Sequence, residues 1–331
     1  MHIVTLGEIL IDMFPAEVGR PLPQVSAFHP KPGGAPANVA VAARRLGAQT
    51  AFIGKVGDDA FGYHLRRVLA NEGVVTDGMR VDEAARTTMA IIAMPDEHTA
   101  EFVFYRNPGA DLRLRPDELD EDLLRRTRAL HIGSLSLVDE PARSATHTAV
   151  KIARQQGALI SFDVNYRPSL WPNPAAALAQ IRAMIPLVDL LKVNEVELAL
   201  LAGEGETAVT IQSLLALGPT LCVLTRGKEG SYAQTAVGHT ITAPAFPVST
   251  VDATGCGDAF IAGVLFQLTQ TDDWRAQLEP ARLAAILRFA NAVGALTAQM
   301  QGVIPALPTA VQVQTFLAHQ SAIRNPQSAI T

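Results

Sequence analysis

Short apolar runs recur along this 331-residue chain, each bounded by turn residues and followed by a longer stretch of helical period. That alternation limits the fold more than any other feature. The runs His2–Gly7, Ala51–Gly54, Ala129–Gly133, Leu159–Asp163, Asp189–Val193 and Leu221–Thr225 read as strands. Several are apolar on both faces, as strands of a covered parallel sheet are. Between them lie helical patterns over Ala37–Leu46, stopped by Gly47, and over Phe61–Glu72, Pro141–Gln156 and Ala175–Ile185. The expected class is α/β, with a doubly wound, mostly parallel sheet flanked by helices. Ligands of such sheets sit outside the carboxyl ends of the strands. Gly7-Glu8, Asp163, Asn194 and Thr225-Arg226 all fall there and are expected to share one crevice.

Two stretches break the alternation. Residues 12–32 are rich in proline and lack a helical period, and Asp12 stands at a strand end. Residues 86–106 read as two strands, Thr87–Met94 and Ala100–Tyr105, around a polar Pro-Asp-Glu-His turn. Residues 1–11, 33–85 and 107–331 then form the core, and 12–32 with 86–106 a small projecting β-strand lid over the site. A lid excludes water from a reacting centre; the alternative is a solvated hairpin without a role. The tail after His319 is polar and is expected to fray.

The net charge is −5 without a basic block, which argues against nucleic acid and anionic membranes as partners. No apolar run reaches the length of a membrane span, and the first residues lack the basic start of a signal peptide. Cys222 and Cys256 do not make a disulfide framework, so a reducing cytoplasm is the expected setting. The eight histidines lack zinc-ligand spacing.

The chemistry concentrates in Asp252-Ala-Thr-Gly-Cys-Gly-Asp-Ala-Phe260, followed by the apolar helical run Ala259–Leu268. Glycines permit a tight turn. The unpaired N–H groups of a first helical turn favour an anion. A carboxylate beside a bound phosphate can take a proton from an alcohol, as in a kinase for a small hydroxylated molecule. The alternative is an aspartate that complements the helix dipole. Gly54-Lys55 is followed by Val56, so there is no Walker A loop, and no Gly-x-Gly-x-x-Gly follows the first strand.

A second glycine segment, Gly33-Gly-Ala-Pro-Ala-Asn-Val-Ala40, places Pro36 at a helix start and Asn38 where it offers both donor and acceptor. Here the chain resembles the ribokinase-like carbohydrate kinases, the PfkB family. Gly33, Gly34, Asn38, Gly47 and Gly57 match the family's first signature, and Asp252 to Leu265 its second. Ala253 and Cys256 depart from the usual residues there, but both are small. The resemblance runs from Gly7 to about Pro308 and is nearest to the fructokinases, through Gly7-Glu-Ile-Leu-Ile-Asp12, Ala51-Phe-Ile-Gly-Lys-Val-Gly-Asp-Asp59 and Gly302-Val-Ile-Pro-Ala-Leu-Pro308.

The resemblance implies ATP and Mg²⁺ as cofactors and these roles. Asp258 is the base. The N–H groups of Gly255, Cys256 and Gly257 hold the transferred phosphoryl group. Asp12, Gly33, Gly34 and Asn38 hold sugar hydroxyls. Asn194 and Glu197 act on Mg²⁺ and phosphate through water; the alternative is an acidic first helical turn. Thr225, Gly227 and Gly230 admit the nucleotide, and Asn291 borders the adenine. Asp252 and Thr254 sit where many members bind K⁺. Arg106 and Arg167 fit fructokinase patterns, but also kinases of 2-keto-3-deoxygluconate, whose carboxylate they would pair.

The resulting expectation is an ATP-dependent fructokinase acting on a primary hydroxyl of D-fructose, homodimeric through its lid. A sugar-acid kinase, a nucleoside kinase and a non-catalytic sugar-binding protein on the same fold are the rivals.

Overall fold

The computed structural model describes residues 2–95 and 101–324, the last four as backbone only. In chain order its strands are β1 (Ile3–Leu6), β2 (Leu10–Pro15), β3 (Phe28–Gly33), β4 (Thr50–Gly57), β5 (Met79–Asp82), β6 (Met89–Ala93) and β7 (Glu101–Tyr105). There follow β8 (Ala129–Gly133), β9 (Leu159–Asp163), β10 (Leu190–Asn194), β11 (Leu221–Thr225), β12 (Ser231–Thr235) and β13 (Thr240–Ala243). A nine-stranded sheet runs β13-β12-β11-β10-β9-β8-β1-β4-β5. It is parallel from β11 to β5; β12 runs against it, and β13, antiparallel to β12, returns to the common direction. The doubly wound α/β class read from the sequence is the one observed.

Each parallel strand feeds two cores because alternate side chains point to opposite faces. Ile3, Phe52, Leu190 and Val223 pack with the helices Ala35–Arg45, Cys256–Leu268 and Pro280–Thr297. Val4, Ile53, Leu191 and Leu224 pack on the other face with Ala142–Gln155, Pro174–Met184, Glu195–Ala202 and Thr207–Leu215. This double covering is why the strands read as apolar throughout. The helices fall within one to two residues of their sequence patterns.

The smaller sheet has the order β3-β2-β6-β7. Asp12 does not end a strand: β2 continues to Pro15, and Asp12 lies opposite Lys31 on one side and Ala90 on the other. The strand signal of β3 is masked by Pro30 and Pro32. They are tolerated because β3 is an edge, where missing donors cost nothing in the ladder. Within the polar turn expected between β6 and β7, residues 96–98 lie outside the described residues, as does Ala100. The helix Ala310–Arg324 extends past His319, and the rest of that tail also lies outside them.

Candidate active site

The turn before Cys256–Leu268 is built by one glycine and one carboxylate. Gly255 has φ 76°, the left-handed region that favours glycine, and a Cβ there would stand 2.2 Å from Val303 Cγ1. Asp252 accepts from the N–H of Thr254 at 2.9 Å and from that of Gly302 at 3.0 Å, so one carboxylate ties the turn to residues 302–303. On its other side Gly302 abuts the small sheet; a Cβ on it would meet Lys31 Cδ at 2.8 Å. The Cys256 N–H bonds Ala253 O at 3.3 Å, so one of the three expected phosphoryl donors is already engaged. Burial pushes the Cys256 thiol up to about 12, which keeps it neutral.

Asp258 is the third residue of the helix and is buried. Its Oδ2 accepts from Asn38 Nδ2 at 2.8 Å, joining the two glycine segments. Burial raises its carboxyl to about 6, against the pull of the Asn38 hydrogen bond; Asp163 raises it further, while Lys192 and Arg167 oppose. A carboxylate poised near the operating pH suits proton transfer.

Around Asp258 opens a cavity of about 970 Å³. Its acidic end is lined by Glu8, Asp12, Asn38, Arg167 and, from the small sheet, Phe102 and Phe104. Gly33 lets Asp12 lie close, since a Cβ on Gly33 would stand 1.9 Å from Asp12 Oδ2. Burial, then the neighbouring Asp258, raises Asp12 to about 7. The other end is lined by Asn194, Thr225, Gly227, Lys228, Gly230 and Asn291. Asn291 Nδ2 donates to the carbonyls of Ala243 and Pro244, which fixes its position on the wall.

The structure brings together Asp12, Gly34, Asn38, Arg167, Asn194, Thr225, Gly227, Gly230, Thr254, Gly255, Cys256, Gly257, Asp258 and Asn291. Gly33 and Asp252 stand just behind the wall, in contact with residues that form it. Arg106 is placed differently. Its guanidinium is buried and absent from the cavity wall: Nε and Nη2 both donate to Asp111 Oδ2, Nη2 also to Leu135 O, and only Nη1 is left without a partner among the described residues, so most of the pairing expected with a substrate is spent internally. Glu197 is buried as well. Its two oxygens accept the N–H groups of Tyr166 and Asn194, both at 2.8 Å, in a capping box that starts the helix Glu195–Ala202. Direct metal ligation by Glu197 does not fit that arrangement, and of the pair it is Asn194 that lines the cavity.

Lys192 and Asn165 also line the wall, though neither was among the expected site residues. Lys192 lies in β10 with its Nζ 3.0 Å from both oxygens of Asp163, and a Cβ on Gly257 would stand 3.1 Å from it. Burial pulls the ammonium down, but Asp163, Glu197 and Asp258 outweigh burial and hold it charged. The signal was present as a lone lysine in Leu-Leu-Lys-Val-Asn194, a run otherwise covered on both faces. Asn165 lines the cavity with φ 39°, the one non-glycine positive φ among the described residues. Glu8, Asn194 and Thr225 share the crevice as expected of strand ends, whereas Asp163 sits behind it, holding Lys192.

Among the described residues no group of three His, Cys, Asp or Glu could hold a metal, and no helix is long and apolar enough to cross a membrane.

Known proteins resemble this chain over nearly its whole length. A profile described as pfkB family carbohydrate kinase matches residues 1–310. "Probable fructokinase-3" of Arabidopsis thaliana is 44% identical over 320 residues, covering 96% of this chain and 92% of that one. The crystal structure of a fructokinase from Xylella fastidiosa with bound ATP superposes with a TM-score of 0.88 at 35% identity, over 97% of this chain and 99% of that one. A fructokinase double mutant from Vibrio cholerae O395 with fructose, ADP and potassium ion bound gives 0.86 at 31%, over 96% and 98%.

Proposed function

The chain belongs to the pfkB family of carbohydrate kinases and is a sugar kinase, and from that premise we propose that it is an ATP-dependent fructokinase transferring the γ-phosphoryl group to a primary hydroxyl, O6 of D-fructose. The observation that carries the reading is Asp258 at the helix start, between an acidic, hydroxyl-accepting end and a glycine-lined end of one cavity.

In this reading Asp12 and Asn38 hold the sugar, with Gly33 and Gly34 giving it room and Arg167 balancing the acids. Asp258 takes the proton from the attacking hydroxyl. The N–H groups of Gly255 and Gly257, the latter beside the Lys192 ammonium, stabilise charge on the phosphoryl oxygens. Thr225, Gly227 and Gly230 receive the nucleotide and Asn291 flanks its base. Mg²⁺ held by the nucleotide phosphates and water would neutralise their charge, with Asn194 and, behind it, Glu197 reaching it through that water. Asp252 would order the Thr254–Gly255 turn, and a K⁺ near Asp252 and Thr254 would reinforce it; the fructokinase from Vibrio cholerae has a potassium ion bound. The small sheet of β2, β3, β6 and β7, which brings Phe102 and Phe104 to the cavity, would act as the lid and the surface for a second copy of the chain. A cytoplasmic enzyme is the corresponding setting.

The site favours a neutral sugar over a sugar acid. Arg106 is ion-paired with Asp111, and three carboxyl groups, Glu8, Asp12 and Asp258, outnumber Arg167 on the wall of the acceptor end. ADP release with Mg-ATP over fructose, glucose, ribose, 2-keto-3-deoxygluconate and adenosine tests this. Turnover strongest on fructose is expected; a preference for the keto acid would overturn the assignment of the acceptor.

A further inference from the structure

Glu8 follows β1, where the chain turns at Gly7 out of the sheet. Its side chain is only 3% exposed, yet it lines the cavity. One oxygen, Oε1, accepts the N–H of Ala35 at 3.1 Å, at the start of the helix that carries Asn38. The other, Oε2, is buried with no hydrogen-bond partner among the described residues. Buried polar atoms are almost always paired, and a carboxylate oxygen is among the costliest to leave bare. Burial raises the Glu8 carboxyl to about 7, and the positive charge of Arg106 pulls it back toward the ionised form. Either protonation state matches a hydroxyl, which can donate to a carboxylate or accept from an acid.

We propose that Glu8 is a further substrate-binding residue that sets specificity, its free Oε2 taking one hydroxyl of the acceptor sugar at the end of the cavity opposite the nucleotide. The proposal rests on the sugar-kinase reading above. The fixed Ala35 contact gives it a defined direction: the carboxyl cannot rotate to a new partner without giving up the N–H at the helix start. A sugar lacking the matching hydroxyl leaves the buried oxygen bare, and sites of this kind reject such analogues strongly.

The test is a cycle between enzyme and substrate. Glu8→Ala and Glu8→Gln are compared with the unaltered protein on the best sugar of the panel and on its monodeoxy analogues, with KM for ATP measured alongside. Gln keeps an acceptor for the Ala35 N–H and so separates binding from local unfolding. For the unaltered enzyme one analogue should lose about tenfold or more in kcat/KM, and with Glu8→Ala that penalty should shrink to about twofold. In Glu8→Gln the ATP KM should stay within about twofold while the sugar KM rises. A penalty unchanged by Glu8→Ala for every analogue, or ATP and sugar KM rising together in Glu8→Gln, overturns the proposal. If a sugar other than fructose is turned over best, the fructose assignment fails but the cycle is run on that sugar and still judges Glu8. Silence on every sugar overturns both.

Discussion

Asn38 donates from Nδ2 to Oδ2 of Asp258 at 2.8 Å across 220 residues of sequence, and both side chains are buried. The bond stabilises the charged form of Asp258, which would otherwise be protonated still more readily by burial. A base must be ionised to accept a proton. Activity is therefore expected to rise with pH through an apparent midpoint near 6, the value of the Asp258 carboxyl. Asn38→Leu removes the bond and should move that limb to higher pH, while also weakening sugar binding. The pH profile of kcat/KM for both proteins checks it. A limb that stays in place shows that Asn38 does not tune Asp258.

Asp258→Asn should lower kcat by at least ~10²-fold, the lower range for general-base catalysis. The same change should raise stability at pH 8. The folded carboxyl is raised from 3.8 to about 6, so between those values the unfolded chain ionises while the folded one holds its proton. Stability thus falls as pH rises across that window, and the full penalty, roughly 1–3 kcal/mol, applies above it. An asparagine carries no such penalty. Thermal unfolding should shift upward by about 2–4 °C at pH 8 and hardly at all at pH 4. A lower melting point at pH 8 would contradict the burial argument.

Gly33→Ala places a methyl group 1.9 Å from Asp12 Oδ2, inside the carboxylate. Asp12 must swing away or β3 must shift. The expected result is a sugar KM raised by about tenfold or more, because a displaced hydroxyl ligand is lost as a unit, with the ATP KM nearly unchanged. Steady-state kinetics with each substrate varied in turn distinguish this from a general loss of structure.

Lys192→Met strips the partner from buried Asp163 and should destabilise the protein by about 3–5 kcal/mol. Adding Asp163→Asn removes the orphaned charge and should restore most of the melting temperature. It should leave kcat about 10²-fold or more below the unaltered enzyme, since the ammonium beside Gly257 is still missing. Recovery of turnover together with stability would assign Lys192 a purely structural part.

The sheet was legible in the sequence because each parallel strand is covered on both faces, and runs such as Leu221–Thr225 carry no exposed position to blur them. The two glycine segments were legible because each is continuous in the chain. What escaped depends on alternation and distance together. Lys192 lies on the same face as Leu190, and its meaning emerges only when β10 brings it beneath Gly257. Arg106 misled because its partner Asp111, five residues on, reads as ordinary loop polarity until both are seen to be buried. Asp12 was displaced to a strand end because the prolines of β3, harmless on an edge, concealed its pairing with β2.

Gly302 touches two parts of the molecule at once. Its N–H is held by Asp252, the carboxylate that shapes the turn before Cys256, and its bare Cα faces the stem of Lys31 in β3. Lys31 in turn lies over the ring of Phe14 in β2. A tilt of the small sheet would therefore reach the turn before Cys256 through a single residue. If the small sheet closes over an acceptor as proposed, no long relay is needed for that closure to reach the turn beside Asp258: the connection would be one amino acid wide.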